Sequence, residues 1–278
     1  MRVKLESREK IKATLRTARP FDGWPQAAID SLARESELRH YAQGEIIEER
    51  GNPATGLWVV GTGSVSLFHS TGDGKYFLHA VLWPGDTFGL FPALDDWPAP
   101  LSYSARREGL IVFIPRKALW AALGDADRLR EMAILVARRA RLDIEVRIST
   151  SVDPLPARLA KYLAFLPRRS HAMNDEPPGE PDSTPIDLTQ DELANMLGVS
   201  RQTLNRTLGP FLRSRIVVRN GQGIRVINFK GLLAIMEQVE PLPDMWRREI
   251  LSWDERIRAS ASEQRPALAQ SILPELPR

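Results

Sequence analysis

Cysteine is absent from the 278 residues, and that absence closes several functions at once. No disulfide, no thiolate-held iron–sulfur cluster and no zinc site with Cys ligands can form. Histidine is nearly as scarce: His40, His69, His79 and His171 are scattered, with no metal-ligand spacing, so no metal site is expected. No run approaches the roughly 18 apolar residues that a membrane helix needs. The segment Met1 to Lys12 is charged and lacks the apolar stretch of a signal peptide. A cytoplasmic protein with no membrane partner is therefore expected. The chain also lacks a nucleophile–base pair and a phosphate-binding loop, so no catalytic residue is assigned and an enzyme is not expected.

A second absence is local. The overall charge is only +3, yet from Leu193 to Met236 the chain has no Asp and no Glu. The same stretch carries Arg201, Arg206, Arg213, Arg215, Arg219, Arg225 and Lys230. A surface with both signs interspersed is the norm. A segment of one sign carries a positive field suited to phosphate.

The length suggests two folded units, at roughly 100–200 residues each. Helices are expected over Glu6–Arg16 and Pro25–Arg34. From His40 to Pro115 glycines punctuate short apolar or alternating runs: Glu45–Ile47, Leu57–Val60, Val65–Phe68, Tyr76–Leu82 and Leu110–Ile114. Asp73-Gly74 marks a hairpin between two of them. Many short strands at regular spacing predict a barrel, roll or sandwich.

A long helix is expected over Asp125–Ser149. Leu129, Met132, Ala133, Val136, Ala140 and Ile144 make one apolar stripe, and Leu135, Leu142 and Val146 a second. Two stripes imply two partners: the β-domain, and the same helix of a second chain. Small Ala133 and Ala140 suit close helix approach, so the first stripe is assigned to a homodimer. Asp153-Pro154 then starts a helix to Leu166. Residues 167–186 read as a polar loop, and a Pro-rich tail follows Glu240, with a helical pattern over Met245–Arg258.

The segment LTQDELANMLGVSRQTLNRTLGPF, Leu188 to Phe211, carries the sharpest signal. Thr189 and Glu192 form a capping box. Gly198 suits the left-handed residue that ends a helix, and Ser200 caps the next one. The result is a helix-turn-helix, Gln190–Leu197 followed by Arg201–Leu212. The second helix exposes Arg201, Gln202 and Thr203 in its first turn, then Asn205 and Arg206. Arg matches guanine O6 and N7, and Gln or Asn matches adenine N6 and N7. Ile216–Val218 and Ile224–Ile227 flank Asn220-Gly221-Gln222-Gly223 as a wing. Arg219 and Arg225 are placed beside its tip to meet phosphates. Arg201, Gln202 and Arg206 are the expected base readers. Thr189, Gln190, Ser200, Thr203, Asn205, Arg219 and Arg225 are expected to support them. Double-stranded DNA is the expected partner.

With HYAQGEIIEERGNPATGLWVVGTGSVSL and WPGDTFGL upstream of LTQDELANMLGVSRQTLNRTL, the chain resembles the Crp/Fnr family of bacterial transcription regulators over about residues 20–235. The resemblance implies an α+β protein: an N-terminal antiparallel, jelly-roll-like β-roll (1–122), a dimerisation helix (123–152), a winged helix-turn-helix (153–240) and a tail (241–278). It implies a homodimer on a near-palindromic site, with RNA polymerase as a further partner. An alternative is a β-roll sensor acting through protein partners by way of the tail. Nucleotide-binding members follow the Gly of their phosphate cassette with Glu, and place an Arg-Ser pair about ten residues on. Here Leu90 follows Gly89, no Arg lies between Leu90 and Ala105, and the matching stretch is Ala99-Pro100-Leu101-Ser102. Asp143 and Ile144 stand where such members use hydroxyl residues on the long helix. A cyclic nucleotide is therefore not expected, and no cofactor is assigned. Phe88, Gly89, Leu90, Phe91, Leu101 and Ser102 would line an effector pocket, with core packing the simpler account of the apolar ones.

Overall fold

The structure, a computed structural model, describes residues 2–21, 23–53, 55–73, 76–165, 184–186, 188–220, 223–239 and 241–242. Gly74, Gly221, Gln222, His171, Leu166 and the tail beyond residue 242 lie outside the described residues. So does the side chain of Leu142. The chain divides into two compact units, Met1–Arg147 and Ile148–Arg278. The boundary falls inside the long helix rather than at either of its ends.

The first unit opens with α1 (Arg2–Thr17) and α2 (Gln26–Glu35). Strands β1 (Glu37–Tyr41), β2 (Ile46–Glu48), β3 (Gly56–Val60), β4 (Ser64–Ser70), β5 (Tyr76–Leu82) and β6 (Thr87–Phe88) follow. Then come α3 (Leu90–Asp95), β7 (Ser102–Arg107), β8 (Gly109–Pro115), α4 (Arg116–Ala122) and α5 (Ala126–Val152). Two four-stranded antiparallel sheets result, in the orders β1-β8-β3-β6 and β2-β7-β4-β5. This is the antiparallel roll that the family resemblance implies. β1, β6, β7, α3 and α4 are additions to the elements expected from the sequence.

Strand periodicity explains the layering. Successive side chains of a strand point to opposite faces. Leu57 and Val59 of β3, with Val112 and Ile114 of β8, join a core with Ile11, Leu15, Ile29, Leu32 and Leu119 of the helices. Trp58, Val60, Ile111 and Phe113 face the other way, onto Val65, Leu82, Tyr103 and Ala105 of the second sheet. β3 is buried along its whole length because both its faces are covered.

The long helix contributes to the first of these cores. Met132 is only 2% exposed there, and Leu135 and Val136 pack against the same cluster. Sequence periodicity placed Met132 and Val136 on a dimer stripe. The structure instead gives both to the core of their own unit. Leu129, Ala133, Ala140 and Ile144 of that stripe remain exposed.

The second unit holds the end of α5, α6 (Leu155–Phe165), β9 (Thr184–Ile186), α7 (Gln190–Leu197), α8 (Arg201–Arg213), β10 (Val217–Asn220), β11 (Gly223–Val226) and α9 (Phe229–Glu237). Its sheet runs β10-β11-β9, all antiparallel. Residues 184–186 were expected in a loop; they form the third strand of the wing. The junction of α5 and α6 is fixed by a buried ionic cluster. Asp153 accepts from Ser149 Oγ at 2.5 Å and pairs with Lys161 Nζ at 2.7 Å. Burial pushes the Asp153 carboxyl up, but the bonds from Lys161 and Ser149 outweigh it and hold the group below its ordinary range.

Candidate nucleic-acid interface

The helix-turn-helix is built from local hydrogen bonds, each legible in residue type. Thr189 Oγ1 accepts from the Glu192 N–H at 3.2 Å, and Glu192 Oε2 accepts from the Thr189 N–H at 2.8 Å. The pair satisfies two amides that the start of α7 would otherwise leave bare. At the other end Gly198 has φ 68°, and the Val199 and Gly198 N–H groups donate to Ala194 O and Asn195 O. That is a full Schellman termination. α6 completes it: Arg158 Nη2 donates to Leu197 O at 2.6 Å and Tyr162 Oη to Met196 O at 3.3 Å. Ser200 Oγ accepts from the Thr203 N–H at 3.1 Å and starts α8.

α8 is locked by Leu204, Leu208 and Phe211, which are buried. The opposite face carries Gln202, Arg206 and Arg213, all exposed, in register at helical spacing. Arg201 is also exposed and leans toward α7, where its Nη1 meets Asp191 Oδ2 at 3.2 Å. Gln202, Arg206 and Arg213 thus share one exposed face of α8, and Arg201 stands at its N-terminal end beside Asp191. Helical periodicity from Gln202 would have found Arg213. Asp191 had no sequence signal, because its partner is ten residues away.

Several expected supporting residues do other work. Thr189 and Ser200 are helix caps, and Gln190 is half-buried. Thr203 Oγ1 lies 2.9 Å from Ser200 Oγ, so the two hydroxyls share a bond. Asn205 turns its Oδ1 inward, where it is buried without a hydrogen-bond partner, and that oxygen is out of reach of a base edge. In the wing, Arg219 pairs with Ile224 and Val218 with Arg225. Cross-strand partners share a face, so Arg219 and Arg225 lie on opposite faces of the ribbon. Arg225 also sits on the central strand, across from Pro185.

α8 ends with Arg215 in the left-handed region, φ 51°, its N–H donating to Leu212 O and that of Ile216 to Phe211 O. This is again the Schellman geometry, with an arginine where glycine costs nothing. A side chain there costs about 1 kcal/mol. Arg215→Gly is therefore expected to raise stability by only a few tenths of a kcal/mol, up to about 0.6, after the added freedom of the unfolded glycine is subtracted. Chemical denaturation measures it, and a lowered midpoint would contradict the strain.

The expected effector pocket separates into two cores. Phe88 is buried in the roll interior against Trp58 and Tyr103, and Leu90 in the core with the helices. Gly89 between them has φ 73°, and a Cβ there would sit 3.0 Å from Gly56 O. Phe91 is 40% exposed, and Leu101 packs on the roll interior. Ser102 Oγ accepts from the Arg50 N–H at 3.0 Å. Glu48 Oε2 accepts from the Trp58 indole at 3.2 Å, while its Oε1 is buried with no hydrogen-bond partner. Burial pushes the Glu48 carboxyl up, and burial, followed by the charge of Glu48, pushes the Tyr103 hydroxyl up to about 12. From α5, Arg139 Nη2 donates to Thr87 Oγ1 at 2.7 Å. Beside them, Leu90 and Ala99 are buried apolar side chains.

A β-roll joined by a long helix to a winged helix-turn-helix is the architecture of a DNA-binding transcription regulator. Two family models match: the cyclic nucleotide-binding domain over residues 38–125 and the Crp-like helix-turn-helix domain over residues 157–235. The chain belongs to the Crp/Fnr family of transcription regulators. It is 27% identical over 213 residues to a CRP-like cAMP-activated global transcriptional regulator of Mycobacterium tuberculosis, covering 76% of this chain and 93% of that one. It is 24% identical over 212 residues to the fumarate and nitrate reduction regulatory protein of Vibrio cholerae, covering 76% and 83%. The structure of FixK2 from Bradyrhizobium japonicum shares the fold, with a TM-score of 0.61 at 21% identity, covering 75% and 98%. Its relatives are regulators and not enzymes, and none of the helices among the described residues is long and apolar enough to cross a membrane.

Proposed function

We propose that this chain regulates transcription from the cytoplasm as a homodimer on a near-palindromic DNA site, reading bases with Arg201, Gln202 and Arg206 and working without cyclic AMP. One observation carries the base-reading role. A rigidly capped helix, buried by Leu204, Leu208 and Phe211, presents an exposed polar and basic face in a stretch without acids. Arg213 and Arg219 are the phosphate-facing candidates. The exposed part of α5 supports the homodimer, and the buried Leu90 beside Gly89 supports independence from cyclic AMP. RNA polymerase is the natural further partner of such a regulator.

The test is selection of duplexes from a random pool by the full chain. The expected product is a pair of inverted half-sites about one helical turn apart, near 34 Å, bound with strong salt dependence. Enrichment of no motif, or of a single asymmetric one, would count against the reading. Millimolar cyclic AMP is expected to shift neither the melting temperature nor the affinity. A clear rise in either would restore the nucleotide as effector.

A further inference from the structure

Between Leu188 and Met236 the sequence has two acidic residues, Asp191 and Glu192. Glu192 is consumed by the capping box. Asp191 is left on the surface, and its carboxylate holds Arg201 across the two helices at 3.2 Å, with both side chains more than half exposed. A carboxylate on a face that approaches phosphates is repelled by them, so its presence calls for a compensating use.

We propose that Asp191 is a positioning and specificity-determining residue that acts through Arg201. The inference rests on the base-reading role proposed for Arg201. A guanidinium carries five N–H donors in a fixed fork. Asp191 engages Nη1 alone, which leaves the other donors available to a guanine edge. Holding a long, flexible side chain in advance removes rotamer freedom that binding would otherwise have to remove. The same pair neutralises one cation, and non-specific affinity comes from cations that displace counterions from phosphate. Asp191 therefore weakens binding to wrong sequences while aiming Arg201 at the right one.

The experiment compares the full chain with D191N, D191E and R201A. The probes are a selected duplex, the same duplex with the guanine lost in turn at each position, and a scrambled duplex of equal length. D191N is expected to bind the scrambled duplex more tightly, with the slope of log affinity against log salt steeper by about 0.9 per protomer. Its preference for guanine at the Arg201 position is expected to fall by about three-fold to ten-fold. D191E, which keeps the charge, is expected to restore both. If D191N weakens every duplex by one factor, changes only the melting temperature, or changes nothing, Asp191 is structural and the proposal is overturned. Should R201A keep its full sequence preference, the reading of Arg201 itself fails, and this inference with it. A defective R201A beside an unchanged D191N sinks the inference alone.

Discussion

Ala140→Glu will leave the chain folded and remove most of its affinity for DNA. Ala140 is exposed on α5, on the same face as Leu129, Ala133 and Ile144, which are also exposed. Leu129 is 46% exposed and Ile144 57%, an apolar surface that water should not be left to cover. Pairing this stripe with its copy in a second chain would bury it, and the small residues allow the two helices to approach closely. A glutamate at Ala140 would put two carboxylates into that seam without partners, a cost of several kcal/mol. The monomer fold is expected to be untouched, because Ala140 is exposed and is not among the residues of the core cluster. DNA affinity then falls because the second half-site no longer binds as an intramolecular event, which is worth about 10²–10⁴. Sedimentation gives the oligomeric state, circular dichroism the helicity and gel shift the affinity. A folded monomeric variant that binds as tightly as the parent would sink the dimer. Met132→Ala is the contrast: truncation in the unit's own core is expected to cost about 2–5 kcal/mol of folding stability and to leave the association of folded chains intact.

The difference between Met132 and Ala140 marks where sequence reasoning runs out. The stripe Leu129, Met132, Ala133, Val136, Ala140, Ile144 reads as helical and is helical, since apolar spacing reports the period. Period does not name the partner. A residue turned a little further round the helix meets its own sheet and not a second chain, and only packing decides which. The winged helix was legible for the opposite reason. Its signals are local and chemical: Thr189 with Glu192, Gly198 in the left-handed region and Ser200 ahead of Arg201. The roll lies between these cases. β3 and β8 announce themselves as apolar runs. β7 hides because only Tyr103 and Ala105 turn inward, between Ser102, Ser104 and Arg106. β9 hides because three residues beside a polar, Pro-rich segment become a strand only when β11 supplies the partner. Arg219 and Arg225 looked equivalent for want of a register, and the register separates them.

Arg206→Ala is expected to lose affinity at one base pair of each half-site and nowhere else. Arg206 lies one turn beyond Gln202 on the exposed face of α8, away from the buried Leu204, Leu208 and Phe211. Its side chain is exposed, so truncation does not disturb the fold. A bidentate contact with guanine O6 and N7 discriminates by about 1–3 kcal/mol per base pair. A symmetric site presents the contact twice, so the loss on the selected duplex is expected to reach roughly 2–6 kcal/mol. On a duplex already lacking that guanine in both half-sites, the same variant should bind like the parent. Arg213→Ala makes the informative comparison. Two turns further along the same face, Arg213 is suited to phosphate, and a lost phosphate contact weakens all sequences alike and lowers the salt slope by about 0.9 per protomer. The measurement is a panel of single-base-pair substitutions titrated with each variant at one salt concentration. If Arg206→Ala weakens every duplex in the panel by the same factor, Arg206 holds phosphate and α8 reads its base at that step through another side chain.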